Sequence, residues 1–278
     1  MSTATLSPAT PDQTSLAARV SDPPRTVGLA ATVAQSFTMG YRGMLKIRHN
    51  PEQLFDVVLQ PVIFTLMFTY IFGGALAGSV SAYLPVIIPG ILVQTVITTS
   101  VVTGTQLRED MNKGVFDRFR ALPIARVSPL AGALLADVLR YLIATIITFV
   151  VGVAIGWRPE VLGLLGATLL VLVCSFAVSW IWALMGMLVK SASAVQGFSL
   201  MLLFPLTFLS NAFVNVETMP GWLQAFVKVN PVSHLVSAVR ELTNTGHVGI
   251  HVLWSLVGAA VITAIFAPLT VRAYMRNA

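Results

Sequence analysis

The chain has 278 residues, 56% of them apolar and only 10% charged, with a mean hydropathy of +0.82, whereas soluble domains carry roughly 25% charge. A soluble core of this length cannot absorb so much apolar side chain, and the net charge of +6 is informative for its position relative to a membrane, not as a footprint for nucleic acid. The single cysteine, Cys174, excludes a disulfide framework and cysteine-based metal sites.

Residues 1–28 are rich in Ser, Thr, Ala and Pro and lack the charged-then-apolar order of a signal peptide, so a disordered cytosolic tail is expected. Over 29–50, Val33, Phe37, Tyr41, Met44 and Leu45 recur at helical spacing, with Arg42 and Lys46 beside them and Asn50-Pro51 as the stop. This predicts an amphipathic helix on the anionic cytosolic leaflet. A plain extension of the first span is the other reading.

Residues 51–278 contain six apolar runs, at about 54–72, 84–105, 130–157, 161–189, 195–213 and 252–271. A spanning helix needs about 20 mostly apolar residues, because hydrocarbon offers no partner to exposed backbone groups. The fold class expected is an all-α membrane protein of six transmembrane helices. Pro61 and Pro205 are expected to bend the first and fifth.

Thirteen of the seventeen basic residues fall on one side of this arrangement. Arg19, Arg25, Arg42, Lys46 and Arg48 precede the first span; Arg108, Lys113, Arg118, Arg120 and Arg126 lie between the second and third; Lys190, Arg272 and Arg276 complete the set. Only Arg158, Lys228 and Arg240 lie opposite, and Arg140 falls within the third span. Both termini are therefore expected in the cytosol.

Two connections have a pattern of their own. Between the second and third spans, Met111, Val115, Phe119 and Leu122 share a helical face, Asp110, Lys113, Asp117, Arg118 and Arg120 are charged, and Pro123 is the stop. So short an amphipathic helix has too little surface to fold alone and must dock on a partner. Between the fifth and sixth spans, Trp222, Phe226 and Val227 form one apolar group and Val232, Leu235, Val236, Val239 and Leu242 a second, with Pro220 and Pro231 opening each piece. Two short helices dipping into the outer leaflet are expected.

No GxxxxGK[ST] loop, HExxH or GxSxG occurs, and His49, His234, His247 and His251 fall at or outside the membrane surface. A membrane enzyme, a cofactor in this chain and a metal centre are not expected. Ion-coupled transport needs ionisable groups within the spans, and only Asp137 and Arg140 qualify. Three apart on one helical face, they either neutralise each other near the cytosolic end, where a side chain can snorkel, or belong to the conduit or a dimer contact. Asp56 and Glu52, one turn apart, are membrane-surface residues. Phe64, Phe68, Trp180, Met201, Phe204 and Phe208 are candidates for an adaptable path for flat cationic amphiphiles; packing or lipid contact is the plainer reading of each.

Several stretches together resemble the membrane component of ABC-2 type exporters, in particular the daunorubicin/doxorubicin-resistance permease group. They are LFDVVLQPVIFTLMFTYIFGGALAGS at 54–79, KGVFDRFRALPIAR at 113–126, LFPLTFLSNAFV at 203–214, TMPGWLQ at 218–224, NPVSHLVSAVREL at 230–242 and FAPLT at 266–270. The resemblance implies a dimer of permeases, homomeric or with a paralogue, in the bacterial plasma membrane, with ATP and Mg on a separate ATPase subunit. It implies a coupling helix over 110–122, with Asp110, Met111, Val115, Phe116, Asp117, Arg118, Phe119, Arg120 and Leu122 at the ATPase contact. The substrate implied is a hydrophobic drug or antibiotic; an endogenous lipid, polyketide or peptide is the alternative, and an ion-coupled secondary transporter the rival of a different class.

Overall fold

A helix satisfies its own backbone hydrogen bonds, which is what hydrocarbon demands. The computed structural model describes residues 29–48, 51–115 and 127–277, and among these it has helices and no strand. In chain order the helices are α1 (Leu29–Arg48), α2 (Pro51–Ala77), α3 (Val80–Thr99), α4 (Val101–Asn112), α5 (Ser128–Ile155), α6 (Val161–Leu188), α7 (Ala192–Phe208), α8 (Gly221–Val229), α9 (Pro231–Thr245) and α10 (Ile250–Asn277). The expected tail over 1–28, and residues 116–126 of the cytosolic connection, lie outside the described residues.

Among the described residues, five segments are long and apolar enough to cross a membrane: Val57–Ala77, Val80–Asn112, Ser128–Ile155, Val161–Leu188 and Ile250–Arg276. The fifth apolar run forms a helix of only 17 residues, α7, about 25 Å long at 1.5 Å per residue. The expected helix over 195–213 stops at Phe208. Beyond it, the Ser210 hydroxyl donates to the Thr207 carbonyl at 2.5 Å and accepts from Ala212 N–H at 3.2 Å, and such local side-chain bonds compete with helix continuation.

Two other boundaries differ from the sequence expectation. Gly73 and Gly74 do not end the first span; α2 runs on to Ala77, and the turn falls at Gly78, whose φ of +74° is a region glycine tolerates. The second span is two helices joined at Ser100, whose hydroxyl donates to Ile97 O at 2.5 Å and accepts from Trp182 Nε1–H at 3.0 Å. The joined segment reaches Asn112 rather than stopping near residue 105.

The α3–α4 segment is the centre of the bundle, with 72% of its apolar window buried, against 11% for α10 at the periphery. Ile87, Ile88, Leu92, Val93 and Val96 are buried there among α5, α6 and α9. Lipid supplies no hydrophobic drive between helices, so close approach of small residues matters. Gly104 of α4 and Gly186 of α6 each face the other helix's backbone so closely that a Cβ would collide with it. Likewise α1 lies on α5 where Gly132 meets Met39 and Gly40, leaving Phe37 and Tyr41 each 63% exposed.

Proline chemistry fixes how the short helices sit. Pro89 has no N–H, so it leaves the Pro85 carbonyl without its helical donor, and the Asn244 side chain of α9 donates to that carbonyl at 2.9 Å. Asn230 caps α9 through Val232 N–H at 2.9 Å, with Pro231 at the first helical position. Val232, Leu235, Val236, Val239 and Leu242 are all buried, whereas Trp222 on α8 is 68% exposed.

Candidate functional site

Asp137 and Arg140 lie on α5, about 14 Å and 18 Å from its start at 1.5 Å per residue. Neither snorkels: they are 3% and 2% exposed and form a direct ion pair with each other. The sequence reading that let them reach the membrane surface is corrected here, because α4 covers them. Thr103 on α4 donates to the second carboxylate oxygen at 2.5 Å, Arg140 Nη2 donates to Gln106 Oε1 at 3.0 Å, and the Tyr141 hydroxyl lies 3.4 Å from that of Thr103. Thr103 and Gln106, three apart on one helix, thus face Asp137 and Arg140, three apart on the next. A polar pair at helical spacing within an apolar run was the sequence signal for Thr103 and Gln106.

Four of the six path candidates belong to one stack of aromatic rings. Phe64 stacks on Phe68 of the same helix with centroids 5.9 Å apart, Phe68 on Phe213 at 4.7 Å, Phe213 on Phe208 at 5.3 Å, and Phe208 on Phe204 at 4.5 Å. Phe72 adds a branch, 5.4 Å from Phe68. The joining ring, Phe213, belongs to the non-helical segment after α7 and was not among the candidates. Met201 is 77% exposed on α7 and outside the stack. Trp180 also lies outside the stack: it packs edge-on against Phe176, beside a separate small core of Leu107, Leu130, Leu134 and Tyr274.

The segment that carries Phe213 is held by polar contacts from α3 and α9. Tyr83 of α3 donates to Phe213 O at 2.7 Å, and Arg240 of α9 donates through Nη2 to Asn211 O at 2.9 Å and Val86 O at 3.0 Å. Asn211 Nδ2 donates to the Ser237 hydroxyl at 2.8 Å, and Asn230 to Leu206 O at 2.7 Å. Burial lowers Arg240 to about 10, countered in part by Tyr83, so the guanidinium remains charged at neutral pH. Gly90 faces the Ala212 carbonyl so closely that any side chain there would displace it.

A cavity of about 120 Å³ lies between α3, α6, α7, α9 and α10, with Ile97, Cys174, Trp182, Leu203, Leu235 and Ala259 in its wall. Pockets that bury drug-sized ligands are roughly 300–1,000 Å³, so this cavity by itself is too small for one.

On the connection expected to couple, Asp110 and Met111 belong to the last turn of α4, not to a separate helix that begins there. The chain turns at Lys113 and at Gly114, whose φ is +64°, before Val115. This corrects the expected start at residue 110: a glycine with positive φ ends one helix. Phe116, Asp117, Arg118, Phe119, Arg120 and Leu122 lie outside the described residues.

The model of the ABC-2 type transporter family matches residues 34–243, and the chain belongs to that family. It is similar to the daunorubicin resistance ABC transporter permease protein DrrB1 of Streptomyces coeruleorubidus, with 45% identity over 251 residues that cover 88% of this chain and 87% of the relative. It is also similar to the probable doxorubicin resistance ABC transporter permease protein DrrC of Mycobacterium tuberculosis, at 25% identity, covering 62% of this chain and 63% of that one. The protein is a multi-pass membrane component of an ABC-2 type transporter.

Proposed function

We propose that this chain is the permease subunit of an exporter of hydrophobic drugs, driven by ATP hydrolysis on a separate ATPase chain. The observation that carries this reading is the 45% identity, over nearly the whole chain, to a daunorubicin resistance permease. The aromatic stack supports the substrate class. Flat cationic amphiphiles are held by ring faces through stacking and cation–π attraction, about 0.5–2 kcal/mol per contact.

In this reading α7 is the fifth of six spans and both termini are cytosolic, as the thirteen basic residues on that side favour. The path runs where two permease copies meet, since the cavity between α3, α6, α7, α9 and α10 is by itself smaller than the roughly 300–1,000 Å³ of a pocket for a drug-sized ligand. Exposed apolar side chains on α2 (Ile63, Met67, Tyr70) and on α7 (Phe198, Met201, Phe204) offer the surface for such a meeting. The segment 110–122 docks on the ATPase. ATP binding favours one permease conformation because the closed ATPase has higher affinity for it, and substrate affinity differs between the two conformations. Asp137 and Arg140, locked to each other, Thr103 and Gln106, have no role as an ion carrier.

The test is co-reconstitution with the candidate ATPase in vesicles. Daunorubicin should raise ATP hydrolysis and move across the membrane only when both chains and ATP are present. Hydrolysis indifferent to the drug, with no transport, would overturn the substrate assignment.

A further inference from the structure

At the start of α10 stands a pair of imidazoles that the transport reading does not use. His234 on α9 and His251 on α10 face each other with their Nδ1 atoms 3.0 Å apart and their rings tilted by 33°. Behind this pair, Glu241 Oε1 lies 3.8 Å from His251 Nε2. We propose that His234 and His251 form a bis-imidazole site for a divalent transition metal, Cu²⁺ or Zn²⁺, with Glu241 as the carboxylate that orients the His251 ring.

Three features argue for a metal. Metal–imidazole bonds are about 2.0–2.1 Å, which puts two nitrogens on one tetrahedral ion roughly 3.3 Å apart, a few tenths more than the spacing here. Both rings are only partly buried, so small side-chain rotations supply the difference. Secondly, a ligating histidine almost always gives its other N–H to a carboxylate or carbonyl, and Glu241 stands on that side of His251. Its Oε2 is buried without a hydrogen-bond partner. Thirdly, a Cβ at Gly249 would strike the Glu241 carboxylate, so the glycine leaves the carboxylate room to lie against the chain beside His251.

Imidazole nitrogen suits Cu²⁺, Zn²⁺ and Ni²⁺, with Cu²⁺ bound most tightly. Among the described residues no group of three or more His, Cys, Asp or Glu side chains could hold a metal, so water completes the coordination and the affinity is that of a two-histidine chelate. The consequence for the fold is mechanical. A bound ion ties α10 to α9, the helix whose Arg240 and Ser237 hold the segment that carries Phe213.

Metal binding is independent of the transport reading; only its effect on export rests on it. The test is calorimetric titration of the purified full chain in micelles with Cu²⁺ and with Zn²⁺ at pH 7.5, beside the H234Q/H251Q variant. Wild type should bind one ion per chain that the variant does not, and E241Q should bind it 10-fold or more weakly. The Cu²⁺ paramagnetic resonance spectrum of wild type alone, with hyperfine splitting from two imidazole nitrogens, gives the same answer should the double variant fold poorly. Equal stoichiometry and affinity in wild type and variant, or a wild-type spectrum without two imidazoles, would overturn the proposal. Metal binding in a chain that fails to export drug would leave the site standing and count against the proposed function.

Discussion

Phe213 and Phe68 lie 4.7 Å apart between ring centroids, 145 positions apart in sequence, and their contact is what turns two separate aromatic runs into one stack. Phe68 comes from a spanning helix and Phe213 from a non-helical segment held by Tyr83 and Arg240. A ring on such a segment can be repositioned without breaking a helix.

Phe213→Leu is therefore the informative substitution. It keeps most of the apolar volume at a buried position but removes the stacking on both neighbours, worth about 0.5–1.5 kcal/mol per aromatic pair. Drug-stimulated ATP hydrolysis should require several-fold more drug for half-stimulation, with basal hydrolysis and membrane insertion unchanged. An unaltered half-stimulating concentration would separate the stack from the drug path.

The Asp137–Arg140 pair predicts a second pattern. Removing one partner leaves an uncompensated buried charge, at a cost of about 3–5 kcal/mol, whereas replacing both by apolar residues is often neutral. Asp137→Leu and Arg140→Met should each lower the thermal midpoint of the purified protein markedly, and the double variant should recover most of the loss. Thr103→Val, which deletes a hydrogen bond to a charged group, should cost about 1.5–3 kcal/mol. A double variant no better than either single one would refute the pairing argument.

Most of the helical framework was legible because hydrocarbon imposes one pattern: long apolar runs and basic residues between them. Five of the six expected runs reappear as helices long enough to span, and α7 is shorter because Ser210 substitutes side-chain bonds for the helical ladder. What could not be read was which faces meet. Trp180 and Phe204 look alike in the sequence, yet one packs in a side cluster and the other joins the stack. Phe213 was missed because it follows the last helical turn, where periodicity carries no information. The environment of Asp137 depends on Gly104 and Gly186 letting α4 and α6 touch, a property of packing between distant segments.

Tyr83 offers a further test of the segment at 209–215. Its hydroxyl satisfies the Phe213 carbonyl at 2.7 Å in a buried setting, so Tyr83→Phe leaves a buried acceptor unpaired at about 1–3 kcal/mol. Because the loss falls on the segment rather than on a helix, transport should fall more than thermal stability does. The check is vesicle uptake measured beside the melting midpoint; a large midpoint drop with transport per folded molecule intact would assign Tyr83 to stability alone.

The proposed contact with the ATPase gives the last prediction. Met111, Val115, Phe119 and Leu122 recur at helical spacing, and the turn at Gly114 separates the first of them from the rest, so the docking surface should depend on residues 115–122. Phe119→Asp or Leu122→Lys places a charge in an apolar contact, where burying it unpaired costs several kcal/mol. Insertion and thermal stability should be unchanged, because the substitution lies outside the spans. Co-purification of the ATPase should fall at least 10-fold, and drug should no longer stimulate hydrolysis. Met111 provides the internal control: it packs at the end of α4 beside Leu107 and Leu130, so Met111→Ala should lower thermal stability modestly and leave ATPase binding as it was. If Met111→Ala releases the ATPase as fully as Leu122→Lys does, the contact extends across the Gly114 turn onto α4, and the division made at that glycine is wrong.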